Sequence, residues 1–123
     1  MSQTSRRKQL EVHDDGEIAV VSFIDREIFD EYIIQKIGED LFSLVDELGK
    51  KKVLLNFSDV EYMSSLALGK FLTLQHKLKN TGGKLGMCCI EDEVYETFEL
   101  TKMNRLFDIQ KEEQTALEAL RKS

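Results

Sequence analysis

Apolar positions along this chain change spacing several times, and each change predicts an element. Ile18–Ile24 (IAVVSFI) is a mostly apolar, β-branched run after the turn signal Asp14-Asp15-Gly16, and it predicts a strand. Leu10–His13 before that turn supplies a short antiparallel partner, so the pair reads as a hairpin. From Ile28 to Leu48 the period lengthens. Ile33, Ile37, Leu41, Leu44 and Leu48 fall on one side of an α-helix, with Glu31, Lys36, Glu39, Asp40, Asp46 and Glu47 on much of the other. Gly49 is the helix stop. Gly38, inside the pattern, leaves two options: a close contact with a neighbouring element, or a break between two helical pieces.

Val53–Phe57 (VLLNF) is short and nearly all apolar, as expected of a parallel strand covered on both faces. Asn56 is its one polar member and is either a turn-facing amide or a functional group. Helical spacing returns from Ser64 or Ser65 to about Lys79, through Ala67, Phe71, Leu74 and Leu78, and stops at Asn80-Thr81-Gly82-Gly83. Leu85–Ile90 predicts a strand, Glu91–Thr101 a short helix with Val94 and Phe98 inward, Leu106–Ile109 a last strand, and Glu112–Arg121 a last helix. The order β-β-α-β-α-β-α-β-α predicts a single α/β domain over residues 10–123. Its sheet is mixed, antiparallel at the first hairpin and parallel across the right-handed helical crossovers. Met1–Gln9 is polar and basic and reads as a flexible tail. It has no apolar segment of the kind that makes a secretory signal.

Composition narrows the chemistry. The 123 residues carry 17 Lys+Arg against 23 Asp+Glu, a net charge of −6, so direct binding to nucleic acid is not expected. No apolar run is long enough for a membrane span, and membrane insertion is not expected. Cys88 and Cys89 are adjacent and read as reduced thiols of a cytoplasmic protein, at least one of them filling core. On a regular strand they would face opposite sides of the sheet, so a bridge between them would be strained.

Catalytic constellations are not apparent. The chain has neither a GxxxxGK[ST] loop nor GxGxxG after a strand, so no nucleotide cofactor is expected. His13 and His76 lie on different elements outside any metal-ligand spacing, and no metal is expected. The carboxylates are scattered over polar helix faces, and Tyr32, Tyr62 and Tyr95 form no stacking platform. The expectation is a protein that is not an enzyme.

One local feature asks for an explanation. In Asp59-Val60-Glu61-Tyr62-Met63-Ser64-Ser65-Leu66-Ala67-Leu68-Gly69, two serines stand where a loop becomes a helix. A helix N-cap alone would account for them. The segment nevertheless resembles the signature of STAS domains, and among them the anti-anti-sigma factors. Tyr62-Met63 takes the place of the family's aromatic or apolar pair. Ser64 stands where many members have Asp, Ala67 where Gly is usual, and Leu68-Gly69 follows. Gly82-Gly83-Lys84-Leu85 and Leu106-Phe107-Asp108-Ile109 resemble further family landmarks, and the element order is similar over about Leu10–Leu120.

The resemblance implies that Ser65 is the serine phosphorylated by a partner kinase. It implies a partner surface of Asp25, Met63, Ser64, Ser65, Leu66 and Leu68. The unphosphorylated form would bind an anti-sigma factor, itself usually the serine kinase, and so free a sigma factor. A STAS domain used as a scaffold or transporter-accessory module, without phosphorylation, is the alternative.

Overall fold

Residues 9–123 and the backbone of Thr4–Arg6 are described in a computed structural model. The first hairpin forms where the pattern places it. Strands β2 (Leu10–Asp15) and β3 (Ile18–Phe23) pair antiparallel around a two-residue turn. Within the stretch read as a tail, Thr4–Arg6 forms β1 and pairs antiparallel with Glu11–His13. The open edge of β2 offers unpaired backbone groups to such a segment. The rest of that stretch up to Lys8 lies outside the described residues.

After β3 comes a two-residue strand, β4 (Glu27–Ile28), then α1 (Glu31–Asp46), β5 (Lys52–Asn56), a second two-residue strand β6 (Tyr62–Met63), and α2 (Leu66–Asn80). The chain closes with β7 (Lys84–Cys88), α3 (Asp92–Leu100), a single 3-10 turn, β8 (Asp108–Gln110) and α4 (Glu113–Arg121). The main sheet runs β1-β2-β3-β5-β7-β8. Its β3–β5, β5–β7 and β7–β8 junctions are parallel, and its first two are antiparallel. The mixed, mostly parallel α/β sheet expected from the sequence is therefore present.

Core lies on both faces of this sheet, which is why β3 and the centre of β5, Val53–Leu55, are apolar at consecutive positions. One face packs α1, α2 and α3 through Ile37, Leu41, Phe71, Leu74 and Phe98. α4 covers the other with Ala116, Leu117 and Leu120, set against Ile18, Val20, Leu54 and Cys88. Each large apolar side chain so buried contributes about 1.5–3 kcal/mol.

α1 starts later than its pattern implied, because Asp30 caps it by accepting the N–H groups of Tyr32 and Ile33. Its buried stripe is Ile34, Ile37, Leu41, Leu44 and Val45, whereas Ile33 is half-buried and Leu48 lies exposed beyond the helix end. Gly38 marks no break. A Cβ there would press on the aliphatic stem of Lys70, so the glycine permits the close approach of α1 and α2. Gly83 is tighter, because a Cβ on it would overlap the Lys51 carbonyl, which accepts the Lys84 N–H at 2.7 Å.

Candidate functional site

The paired serines are held by two loops clipped together. β4 and β6 pair in parallel, with Glu27 opposite Tyr62 and Ile28 opposite Met63. The N–H groups of Glu61 and Tyr62 donate to the Arg26 carbonyl, and the Ser64 N–H donates to the Ile28 carbonyl at 2.8 Å. An exposed ion pair, Arg26 Nη1 to Glu61 Oε2 at 2.7 Å, lies over the same crossing. The connection after β3 and the connection before α2 are thus joined by backbone hydrogen bonds and one ion pair.

The period-2 alternation of β6 then decides which side chains reach the surface. Tyr62 is 54% exposed and Met63 is 3% exposed. On α2, Ala67 and Leu68 turn into the core at 0% exposure, and Leu66 turns out at 55%. Met63 and Leu68 are therefore core residues and leave the contact surface drawn from the sequence.

The two serines have different roles. Ser64 is half-buried and its Oγ accepts the Leu66 N–H at 3.2 Å. Ser65 has near-helical dihedrals and makes no side-chain cap hydrogen bond; its hydroxyl is on the exposed side. The capping expected of either serine falls to Ser64 alone. α2 also has no acidic residue in its first turn, so its positive dipole end is uncompensated there.

Sequence reading missed the aromatic surroundings. Phe29 is exposed and meets Tyr62 edge-on, with ring centroids 5.6 Å apart. Tyr32, on the first turn of α1, is exposed with the Lys36 ammonium over its ring at 5.3 Å. A groove of 670 Å³ between α1 and α2 has Tyr32, Gln35, Leu66, Lys70 and Thr73 among its walls. The spacing of Phe29 and Tyr32 next to an amphipathic helix gave no signal that they face outward.

Asp25 lies on the β3–β4 connection, half-buried, with one carboxylate oxygen turned inward and without a hydrogen-bond partner. No contact joins it to Ser65 among the described hydrogen bonds. Asn56 is structural: its amide donates to Glu113 and accepts the Ser58 N–H at 2.8 Å, tying the end of β5 to α4. His13 and His76 are both exposed and on separate elements. Among the described residues, no three His, Cys, Asp or Glu side chains are grouped to hold a metal. None of the described helices is long and apolar enough to cross a membrane.

The family model for the STAS domain matches residues 9–116. The chain belongs to the STAS domain family. The fold is shared with anti-sigma factor antagonists. A putative one from Thermotoga maritima is 21% identical, with a TM-score of 0.77 over 89% of this chain and 92% of its own. An anti-sigma-factor antagonist (STAS) domain protein from Planctomyces limnophilus is 18% identical, with a TM-score of 0.81 over 91% and 97%. The antagonist SpoIIAA in its unphosphorylated form is 14% identical, with a TM-score of 0.76 over 93% and 97%. In this STAS domain the serine pair occupies the start of α2, at the crossing of the two clipped loops.

Proposed function

We propose that this STAS domain is an anti-anti-sigma factor of the bacterial cytoplasm. In its unphosphorylated form it binds an anti-sigma factor that is also a serine kinase, and so releases a sigma factor. Phosphorylation of Ser65 ends that binding. One observation carries the reading: the Ser65 hydroxyl is exposed and uncommitted at the head of α2, while its neighbour Ser64 does the capping.

The geometry supports a switch by surface chemistry and not by unfolding. A phosphate on Ser65 adds about −1.5 to −2 charge, placed where the positive end of the helix dipole favours an anion. The domain tolerates the group. A partner seated on Leu66, Tyr62 and Phe29 meets an unpaired dianion beside its apolar contact. Losing one central contact commonly costs about 2 kcal/mol, close to thirtyfold in affinity. Transcription is then reached through a protein, which agrees with the net charge of −6. ATP belongs to the kinase.

Incubation with the cognate kinase and ATP, followed by peptide mass spectrometry, tests the assignment. Phosphate is expected on Ser65, with Ser65→Ala binding the partner and Ser65→Asp not binding it. Phosphate confined to Ser64, or equal binding by Ser65→Asp, overturns it. The second reading, a scaffold or transporter-accessory module without phosphorylation, is favoured by Ser64 standing where an acid is common. It is weakened by Ser64 supplying the cap that an Asp would supply.

A further inference from the structure

The carboxyl end of β7 sets two thiols side by side. Cys88 is the last residue of the strand and is buried beneath α4, among Ile18, Val20, Leu54 and Leu117. A regular strand turns the next side chain to the opposite face. Cys89 does not continue the strand. Its φ is 61°, in the left-handed region that a residue with a Cβ rarely adopts. The turn keeps Cys89 on the face of Cys88, half-buried and packed against the same α4 cluster. The opposite-face arrangement expected from the sequence is therefore not what forms. Burial, the adjoining Cys89 and the Glu113 carboxylate on the first turn of α4 together push the Cys88 thiol well above its ordinary pKa. Both cysteines are free.

We propose that Cys88 and Cys89 are a vicinal dithiol site whose co-substrate is a low-molecular-weight disulfide. The site is separate from Ser65 and does not rest on the anti-anti-sigma reading. Cys89, the more exposed thiol, loses its proton and attacks one sulfur of the small disulfide. That S–S bond breaks, and one small thiolate leaves and takes up a proton. Cys88 gives up its proton and attacks the Cys89 sulfur of the mixed disulfide, expelling the second small thiolate, which takes up that proton. Two protein thiols become one intrachain disulfide, and one small disulfide becomes two thiols. Cys88 is shielded and slow to ionise, so it acts as the resolving thiol and not as the first nucleophile. Both sulfurs lie against the α4 cluster, so the bridge would form beneath α4.

The test uses the full chain and oxidised glutathione, with acid quench, alkylation and mass spectrometry. The native protein should lose two hydrogens in mass and both alkylatable thiols, remain monomeric by non-reducing gel, and revert with a reducing dithiol. Cys88→Ala should stop at a glutathione adduct on Cys89. Cys89→Ser leaves the buried thiol in place, should fold as the parent does, and should not react. A stable adduct on Cys89 of the native protein, an intermolecular disulfide, or unconsumed thiols would each overturn the proposal. So would intrachain closure that is as fast in urea-unfolded protein as in native protein, since adjacency and not the fold would then explain it.

Discussion

The Ser64 N–H donates to the Ile28 carbonyl at 2.8 Å, extending the β4–β6 ladder to the last residue before Ser65. The serine that caps α2 is also the one pinned to the neighbouring loop, and the serine beside it is left free. Ser64→Ala removes the side-chain oxygen that caps α2 and should cost about 1 kcal/mol of stability. Ser65→Ala removes no hydrogen bond of the cap and should stay within about 0.5 kcal/mol of the parent. Denaturant unfolding of both variants measures the difference, and the reverse ranking would refute this division of labour.

Neighbouring residues on the same segment should also separate stability from binding. Leu68→Ala empties a fully buried site and should cost about 2–5 kcal/mol. Leu66→Ala trims an exposed side chain and should leave the melting temperature nearly unchanged. If the patch around Ser65 receives the partner, Leu66→Ala and Tyr62→Ala each weaken partner binding about tenfold or more. Titration calorimetry with the cognate anti-sigma factor reads the second effect and thermal melting the first. Unaltered affinity in both variants would remove the patch from the interface.

Long periodic elements were legible in the sequence because burial imposes their period. β3, β5, β7 and the helices α1 to α4 lie within a few residues of their expected places. β4 and β6 were not, because two residues carry no period, and their pairing is set by loops that meet only after α1 and α2 pack. Position in a motif likewise does not give direction. Met63 and Leu68 flank the serines in sequence yet face the core, while Phe29 and Tyr32 reach the same surface from another element. Cys89 was illegible for a different reason: its left-handed backbone belongs to a residue type that rarely marks a turn.

Two glycines on close approaches should respond differently to the same substitution. At Gly83 a methyl group collides with the Lys51 backbone, which is fixed by the β5–β7 ladder. Gly83→Ala should therefore cost about 2 kcal/mol or more. At Gly38 the obstacle is the stem of Lys70, which can swing away at the loss of its 3.1 Å bond to Gln35. Alanine regains up to about 1 kcal/mol of helix propensity there, so Gly38→Ala should be within about 1 kcal/mol of the parent. Equal destabilisation by both would show that α1 and α2 are locked as rigidly as the sheet.

Cys88 should leave a signature in the pH dependence of stability. Its thiol has an ordinary pKa of 9.0, and in the fold burial, Cys89 and Glu113 raise it. Below about pH 9 the folded and unfolded chains both hold the proton, and the contribution to stability is complete. Above it the unfolded chain releases the proton while the folded chain keeps it, so the unfolded state gains. Stability then falls by up to about 1.4 kcal/mol per pH unit until the folded thiol ionises as well. All other titratable groups are common to the parent and to Cys88→Ala, so the difference between the two profiles isolates Cys88. The variant should be less stable near neutrality, because a buried side chain has been trimmed, and should lose less stability between about pH 8 and pH 10. Urea midpoints of the two proteins across that range provide the comparison. Parallel pH profiles would mean that Cys88 is not held protonated by the fold.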